Sequence, residues 1–170
     1  MERITPALLV RLHRAGIVYP VVTAQVARGA RLGLPLACAL LMQESGGGHN
    51  EFGHDPTVAV GWGTVTRAKY EAYVHLRATT GECQGVGPCQ LTAKGFQDEA
   101  DRLGGCYVPR YNMAVGFHAL HDLAVKYGLR AGIAAYNGSG PAAERYAVSV
   151  LALAEHFKAR GCGSVVGVLS

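Results

Sequence analysis

One stretch constrains this chain more than any other: Leu36 to Asn50, reading LACALLMQESGGGHN. Its first seven residues are apolar, with no polar side left for solvent. A helix that is apolar all round has to sit inside, with other helices packed against it. The run then stops on a carboxylate, a hydroxyl and three glycines. Glu44 is thereby placed at the C-terminal end of a buried helix, where the macrodipole is negative and apolar neighbours exclude water. Both effects disfavour the ionised form. The spacing predicts a carboxyl with a raised pKa that can give up a proton near neutral pH. Gly46, Gly47 and Gly48 break the helix and let a ligand come close to the backbone. Taken alone, a glutamate at a helix end is more often a solvated surface group, so the rest of the chain has to decide.

The chain has 170 residues, 49% hydrophobic and 16% charged, against a usual charged share of ~25%. That supports one globular domain with a real core and argues against disorder. The expected domain covers residues 1–160, with 161–170 a linker or a cut end. No stretch holds eighteen uninterrupted apolar residues, so no membrane insertion is expected. The N-terminal MERITPALLVRLHRAG lacks the apolar region and cleavage site of a secretory signal. The net charge is +4 with a pI near 8.9. This mild basicity suits an anionic polymer such as a bacterial cell wall and is too small to argue for nucleic acid. Of five cysteines, Cys38 falls on the apolar helix, while Cys83, Cys89 and Cys106 flank one region. A disulfide within that trio is open, and spacing does not choose the pair. Neither CxxC nor HExxH occurs, so no metal and no cofactor is expected.

Periodicity predicts a mainly helical chain. Thr5 caps a first helix with Pro6 at its first position and Gly16 at its end; Leu8, Leu9 and Leu12 form its stripe. Val21 to Leu32 is a second helix, and Pro35 opens the third. Residues 51–66 read as a loop insertion with one or two short strands. Further helices cover Arg67 to Thr79, with Tyr70, Tyr73, Val74 and Arg77 on one face, and Ala93 to Leu103, facing inward through Phe96, Ala100 and Leu103. Asn112 to Tyr127 aligns Val115, Ala119, Leu123 and Tyr127; Leu129 to Tyr136 is short and alanine-rich. Pro141 opens a last helix with Tyr146, Val150, Leu153 and Phe157 on one stripe.

Four separated stretches combine small and polar residues at helix ends. They are Glu44-Ser45-Gly46, Gly85-Val86-Gly87-Pro88-Cys89-Gln90-Leu91, Asn112 with Gly116, and Ala134-Ala135-Tyr136-Asn137-Gly138; Tyr146 follows. This set, in this order, resembles the soluble lytic transglycosylase and goose-type lysozyme group of the lysozyme-like superfamily. The match runs over roughly Leu34 to Phe157. Gly53-His54-Asp55 and Val86-Gly87-Pro88-Cys89-Gln90 are further similar to the lytic domain of endolysins from phages of actinobacteria.

The resemblance implies a mainly α (α+β, lysozyme-like) fold with a small loop or β insertion after the Glu44 helix. It implies cleavage of the β-1,4 bond between N-acetylmuramic acid and N-acetylglucosamine in peptidoglycan, by a lytic transglycosylase or a muramidase. Glu44 would protonate the leaving oxygen. Asp55 would be the second carboxylate of a hydrolysing enzyme, or simply an Asp-Pro turn residue. Gln90 would bond a sugar N-acetyl or hold the cleft wall. Tyr136 would orient Glu44 or pack on a sugar face. Asn137 would make the turn with Gly138 or touch substrate. Tyr146 would put a hydroxyl in the cleft or pack in the core. Ser45 would cap the helix or reach substrate. Trp62 would stack on sugar or fill the core. The expected partner is the glycan strand. The expected form is a monomer or one domain of a multidomain lysin, made in the host cytoplasm without a signal peptide and acting on the wall after release. Two other readings stay open: a metal-dependent amidase built on His49, His54 and Asp55, and a non-catalytic wall-binding module.

Overall fold

The computed structural model describes residues 4–52 and 63–163. It is mainly helical, with eight helices among these residues. They are α1 (Pro6–Arg14), α2 (Pro20–Gly29), α3 (Leu34–Ser45), α4 (Arg67–Thr80), α5 (Lys94–Leu103), α6 (Pro109–Tyr127), α7 (Leu129–Asn137) and α8 (Gly140–Ala159).

Local rules account for most boundaries. Thr5 Oγ1 accepts from Leu8 N at 3.2 Å, and Pro6 occupies the first turn. The second helix stops three residues earlier than its apolar pattern does. Arg31 adopts φ 55° and Leu32 N turns back to Ala27 O at 2.9 Å, a left-handed stop of the kind usually given to glycine. The sixth helix starts earlier than expected, because Pro109 in its first turn is already helical.

α3 is the axis of the molecule. Leu36 to Leu41 are all 0% exposed. α8 packs along one side of it and α2 along another. α6 packs on α2, α5 and α7, and α7 bridges to α8. α6 and α8, of 19 and 20 residues, are the two longest of the described helices. No helix among the described residues is long and apolar enough to cross a membrane.

Two expected stripes are corrected. In α6 the inward residues are Met113, Phe117, Leu120 and Ala124, together with Asn112, Val115 and Gly116; Tyr127 is 51% exposed. A row of every fourth residue advances ~400° per step, so Val115, Ala119, Leu123 and Tyr127 drift round the helix and off the core. In α5 the inward residues are Gln97 and Ala100, while Phe96 and Leu103 lie outside. Gln97 goes inside because its amide is saturated there. Its Nε2 donates to Gln84 O at 2.8 Å and Leu91 O at 2.7 Å, and its Oε1 accepts from Tyr73 Oη at 3.0 Å and from Arg77 Nη1.

Among the described residues, β pairing amounts to two isolated antiparallel bridges, Phe52 with Gly63 and Phe52 with Val86. They join the segment after α3 to the segment before α4 at Gly63 and to the loop before α5 at Val86. Chain beyond α8 still belongs to the domain. Cys162 is 0% exposed, and Arg11 Nε donates to Gly161 O at 3.1 Å.

Candidate active site

The site is built where α3 ends. Three successive glycines there take φ values of 60°, 79° and 101°, a left-handed path that side chains resist. Gly47 also has no room for a side chain, since a Cβ would stand 2.2 Å from Gly16 O. Val18 N donates to Gly47 O at 2.9 Å. The turn is pinned to the α1–α2 connection, and Glu44 is held one residue before the end of its helix.

Ser45 is buried, and its hydroxyl is engaged. It donates to Pro88 O at 2.8 Å, shared with Leu41 O at 3.1 Å, and accepts from Gly48 N at 3.0 Å. Of the two roles open to it, capping and loop attachment are the ones its geometry displays. It draws the Val86–Leu91 loop against the Glu44 turn.

The same loop is gripped from the other side by α6. Asn112, fully buried, accepts from Cys89 N at 2.9 Å and donates to Val86 O at 2.7 Å and Cys106 O at 3.2 Å. One turn on, Gly116 lets the loop touch the helix: a Cβ there would lie 2.5 Å from Cys89 Cβ and 3.1 Å from the Tyr136 hydroxyl. The Asn-x-x-x-Gly spacing is therefore a clasp on one helix face.

Two tyrosines complete the arrangement. Tyr146 on α8 donates to Glu44 Oε1, joining residues 102 apart in the chain. Tyr136 near the end of α7 donates to Cys89 O at 3.0 Å. Burial, and after it the neighbouring Glu44 charge, push the Tyr146 hydroxyl far up. Burial, Cys89 and Glu44, in that order, do the same to Tyr136. Both hydroxyls stay protonated and can only be neutral hydrogen-bonding groups near neutral pH. Cys89 lies in the same field: burial, then Glu44 and Cys106, hold its thiol well above the usual range. A thiol kept protonated is no nucleophile. All five cysteines are free thiols, so no pair of the Cys83, Cys89 and Cys106 trio is joined.

Compared with protein-family models, curated proteins and solved structures, the chain matches none. The geometry itself has to carry the functional argument.

Of the expected site residues, Glu44, Tyr136 and Tyr146 come together around the Pro88–Cys89 loop. Gln90 stands next in that loop, and its amide bonds to backbone carbonyls. Nε2 donates to Gly87 O at 2.8 Å and Glu51 O at 3.0 Å. Gln90 has φ 45°, a strained backbone for a residue with a Cβ, and these bonds hold it there. Asn137 is exposed at the last position of α7, with Gly138 as cap. Asp55, His54 and Trp62 lie outside the described residues, and His49 is exposed.

Glu51 was not among the expected residues. Its N–H donates to Gly63 O at 2.9 Å, its carbonyl accepts from Gly87 N at 2.8 Å, and Oε2 accepts from Val65 N at 3.3 Å. Tyr19 shares a hydrogen bond with the carboxyl. The residue is 1% exposed, and Oε1 has no partner among the described residues. Burial raises its carboxyl above the ordinary value, with the Tyr19 and Val65 bonds opposing. Glu51 thus ties the segment after α3 to both Gly63–Val65 and the Gly87–Gln90 loop. Its sequence neighbours Asn50 and Phe52 carry no signal of this.

Proposed function

We propose that this protein cleaves the glycan strand of bacterial peptidoglycan, with Glu44 as general acid. The observation that carries this is the Glu44–Tyr146 hydrogen bond at the end of a buried helix. A carboxyl that accepts from a tyrosine hydroxyl at the end of a buried helix is aimed at a defined point. Glycosidic cleavage needs a proton delivered at one oxygen as the bond breaks, and positioning supplies much of its rate. The expected role of Glu44 is to give that proton to the leaving oxygen. Tyr146 keeps the carboxyl in one orientation. Tyr136 and Asn112 keep the Pro88–Cys89 wall at a fixed distance from it. Ser45 fastens that wall to the Glu44 turn.

The positive charge that grows on the sugar needs an answer from the other side. In a transglycosylase the substrate's own N-acetyl and 6-hydroxyl groups provide it, and one protein carboxyl suffices. In a muramidase a second carboxylate positions water, and Asp55 is the candidate. The phage-lysin context, with synthesis in a host cytoplasm and release to the wall, belongs to the same proposal.

Digestion of purified peptidoglycan, followed by mass spectrometry, tests the reading. Wild type is expected to release disaccharide-peptides, ending in 1,6-anhydromuramic acid for a transglycosylase or in a reducing sugar for a muramidase. Glu44→Gln keeps the size of the side chain and removes the transferable proton, so its rate should fall by ~10²–10⁴ while the fold is kept. Glu44→Gln clearing walls at the wild-type rate would overturn the assignment. Products cut only between sugar and peptide, lost on adding a chelator, would establish a metal amidase instead.

A further inference from the structure

The surplus charge of this protein sits in one place. Residues 1–43 hold five arginines and a single acid, Glu2, whereas residues 44–170 hold eleven basic and eleven acidic residues. The net +4 of the whole chain is the net charge of its first 43 residues. Arg11 and Arg14 lie on α1, Arg28 on the last turn of α2 and Arg31 just past it, and all four are exposed. None of the four makes an ion pair among the described residues. α1 and α2 pack against one another, and neither helix carries an acid.

The chemistry of this surface narrows its partner. The apolar side of α1, Leu8 and Leu12, is buried in the core, as are Ala24, Val26 and Ala27 of α2. The large apolar residues that the two helices expose are single valines, Val10 on α1 and Val21 on α2, too small an apolar face to enter lipid. Residues 1–43 contain no lysine, tryptophan or phenylalanine, and the single tyrosine, Tyr19, is half-buried. A surface for single-stranded nucleic acid would offer aromatic rings for stacking, and a net charge of +4 is small for a duplex-binding protein. What remains is a set of guanidinium forks, which match carboxylates and phosphates two bonds at a time. Peptidoglycan repeats carboxylates along its stem peptides. Each exposed pair is weak and screened by salt, but a repeating polymer engages several at once.

We propose that α1 and α2 form a docking surface for the stem-peptide carboxylates of peptidoglycan, holding the protein on the polymer that Glu44 cleaves. The identity of the polymer rests on the functional reading above; the segregation of charge does not.

The test reads binding without cleavage. Glu44→Gln protein is sedimented with purified peptidoglycan sacculi over a series of salt concentrations. Arg14→Gln, Arg28→Gln and Arg31→Gln together, in that background, should bind about tenfold more weakly at low salt and show a flatter salt dependence. Arg14→Lys, Arg28→Lys and Arg31→Lys together should recover most of the affinity and its salt dependence. A control with the same loss of charge elsewhere, Arg102→Gln, Lys126→Gln and Lys158→Gln, should bind like the parent. Sacculi with amidated carboxyl groups should bind the parent as weakly as the triple variant binds native sacculi. Equal binding by the triple variant and the control would overturn the proposal. So would full binding to amidated sacculi, or tighter binding to phosphatidylglycerol vesicles than to sacculi. Wild-type protein that binds sacculi through these arginines and yet releases no sugar would leave the docking surface standing and remove the glycosidase reading.

Discussion

At the scale of single residues, the pairing of Glu44 with Tyr146 is the feature most exposed to experiment. Tyr146 stands half-buried on α8 and spends its hydroxyl on Glu44. Tyr146→Phe removes one oxygen and leaves the ring and its packing in place. The carboxyl then loses its orienting bond, and misorientation of a reacting group by a fraction of an ångström to an ångström is costly. The turnover number on peptidoglycan should fall by about 10- to 100-fold with little change in KM, because the hydroxyl is spent on the acid rather than on substrate. Thermal unfolding should stay within a few degrees of wild type. An equal loss in KM would assign Tyr146 to substrate instead. Glu44 was legible from the sequence, because an apolar helix ending in Glu-Ser-Gly-Gly-Gly leaves it nowhere else to be. The partner of its carboxyl was not legible as a bond, since nothing local links residues 102 apart.

At the scale of elements, α6 acts as a clasp. Asn112 and Gly116 lie one turn apart and grip the loop that carries Pro88, Cys89 and Gln90. Asn112→Ala strips partners from Cys89 N, Val86 O and Cys106 O, all in a buried environment. The expected cost is about 2–4 kcal/mol in urea unfolding. Gly116→Ala adds a single methyl group, 2.5 Å from Cys89 Cβ and close to the Tyr136 hydroxyl. It should cost about 1–3 kcal/mol and also lower activity, because the loop must move. Gly116→Ala with unchanged stability would mean the loop can retreat freely from α6. Many helix starts and stops were readable from Thr5, Pro6 and the terminal glycines, since those are local hydrogen-bonding and steric rules; the start of α6 at Pro109 was not. The inward faces of α5 and α6 were misread, because both carry polar residues inward: Gln97 and Asn112 count as surface residues by type and are buried only because their amides are saturated.

At the scale of the whole molecule, Glu51 couples several parts at once. It reaches the α1–α2 connection through Tyr19, the Gly63–Val65 segment through its backbone and Oε2, and the Gly87–Gln90 loop through its carbonyl. Its carboxyl is raised above 4.5, chiefly by burial. The folded state therefore holds this proton more tightly than the unfolded chain does. The stabilisation is fully present below the unfolded carboxylate range and is lost as pH rises through the raised folded value. Glu51→Gln mimics the protonated carboxyl and does not titrate. Urea midpoints of wild type and variant, compared at about pH 4 and about pH 8, should show the balance shifting toward the variant at the higher pH. A balance that shifts toward wild type would mean that the carboxylate, not the acid, is the form the fold prefers.

The sequence alone determined what depends on neighbours a few residues away. Apolar spacing made the chain mainly helical and forced α3 inside. The residues after α3 put a carboxyl at its end, and proline, threonine and glycine marked where helices begin and stop. Only the tertiary structure decided which polar groups go inside and whom they meet. Tyr146 finds Glu44, Tyr136 finds Cys89 O, and Gln97, Asn112 and Glu51 sit in the core. A buried polar group is stable only beside a partner, and that partner is chosen by how helices pack, which no local pattern records.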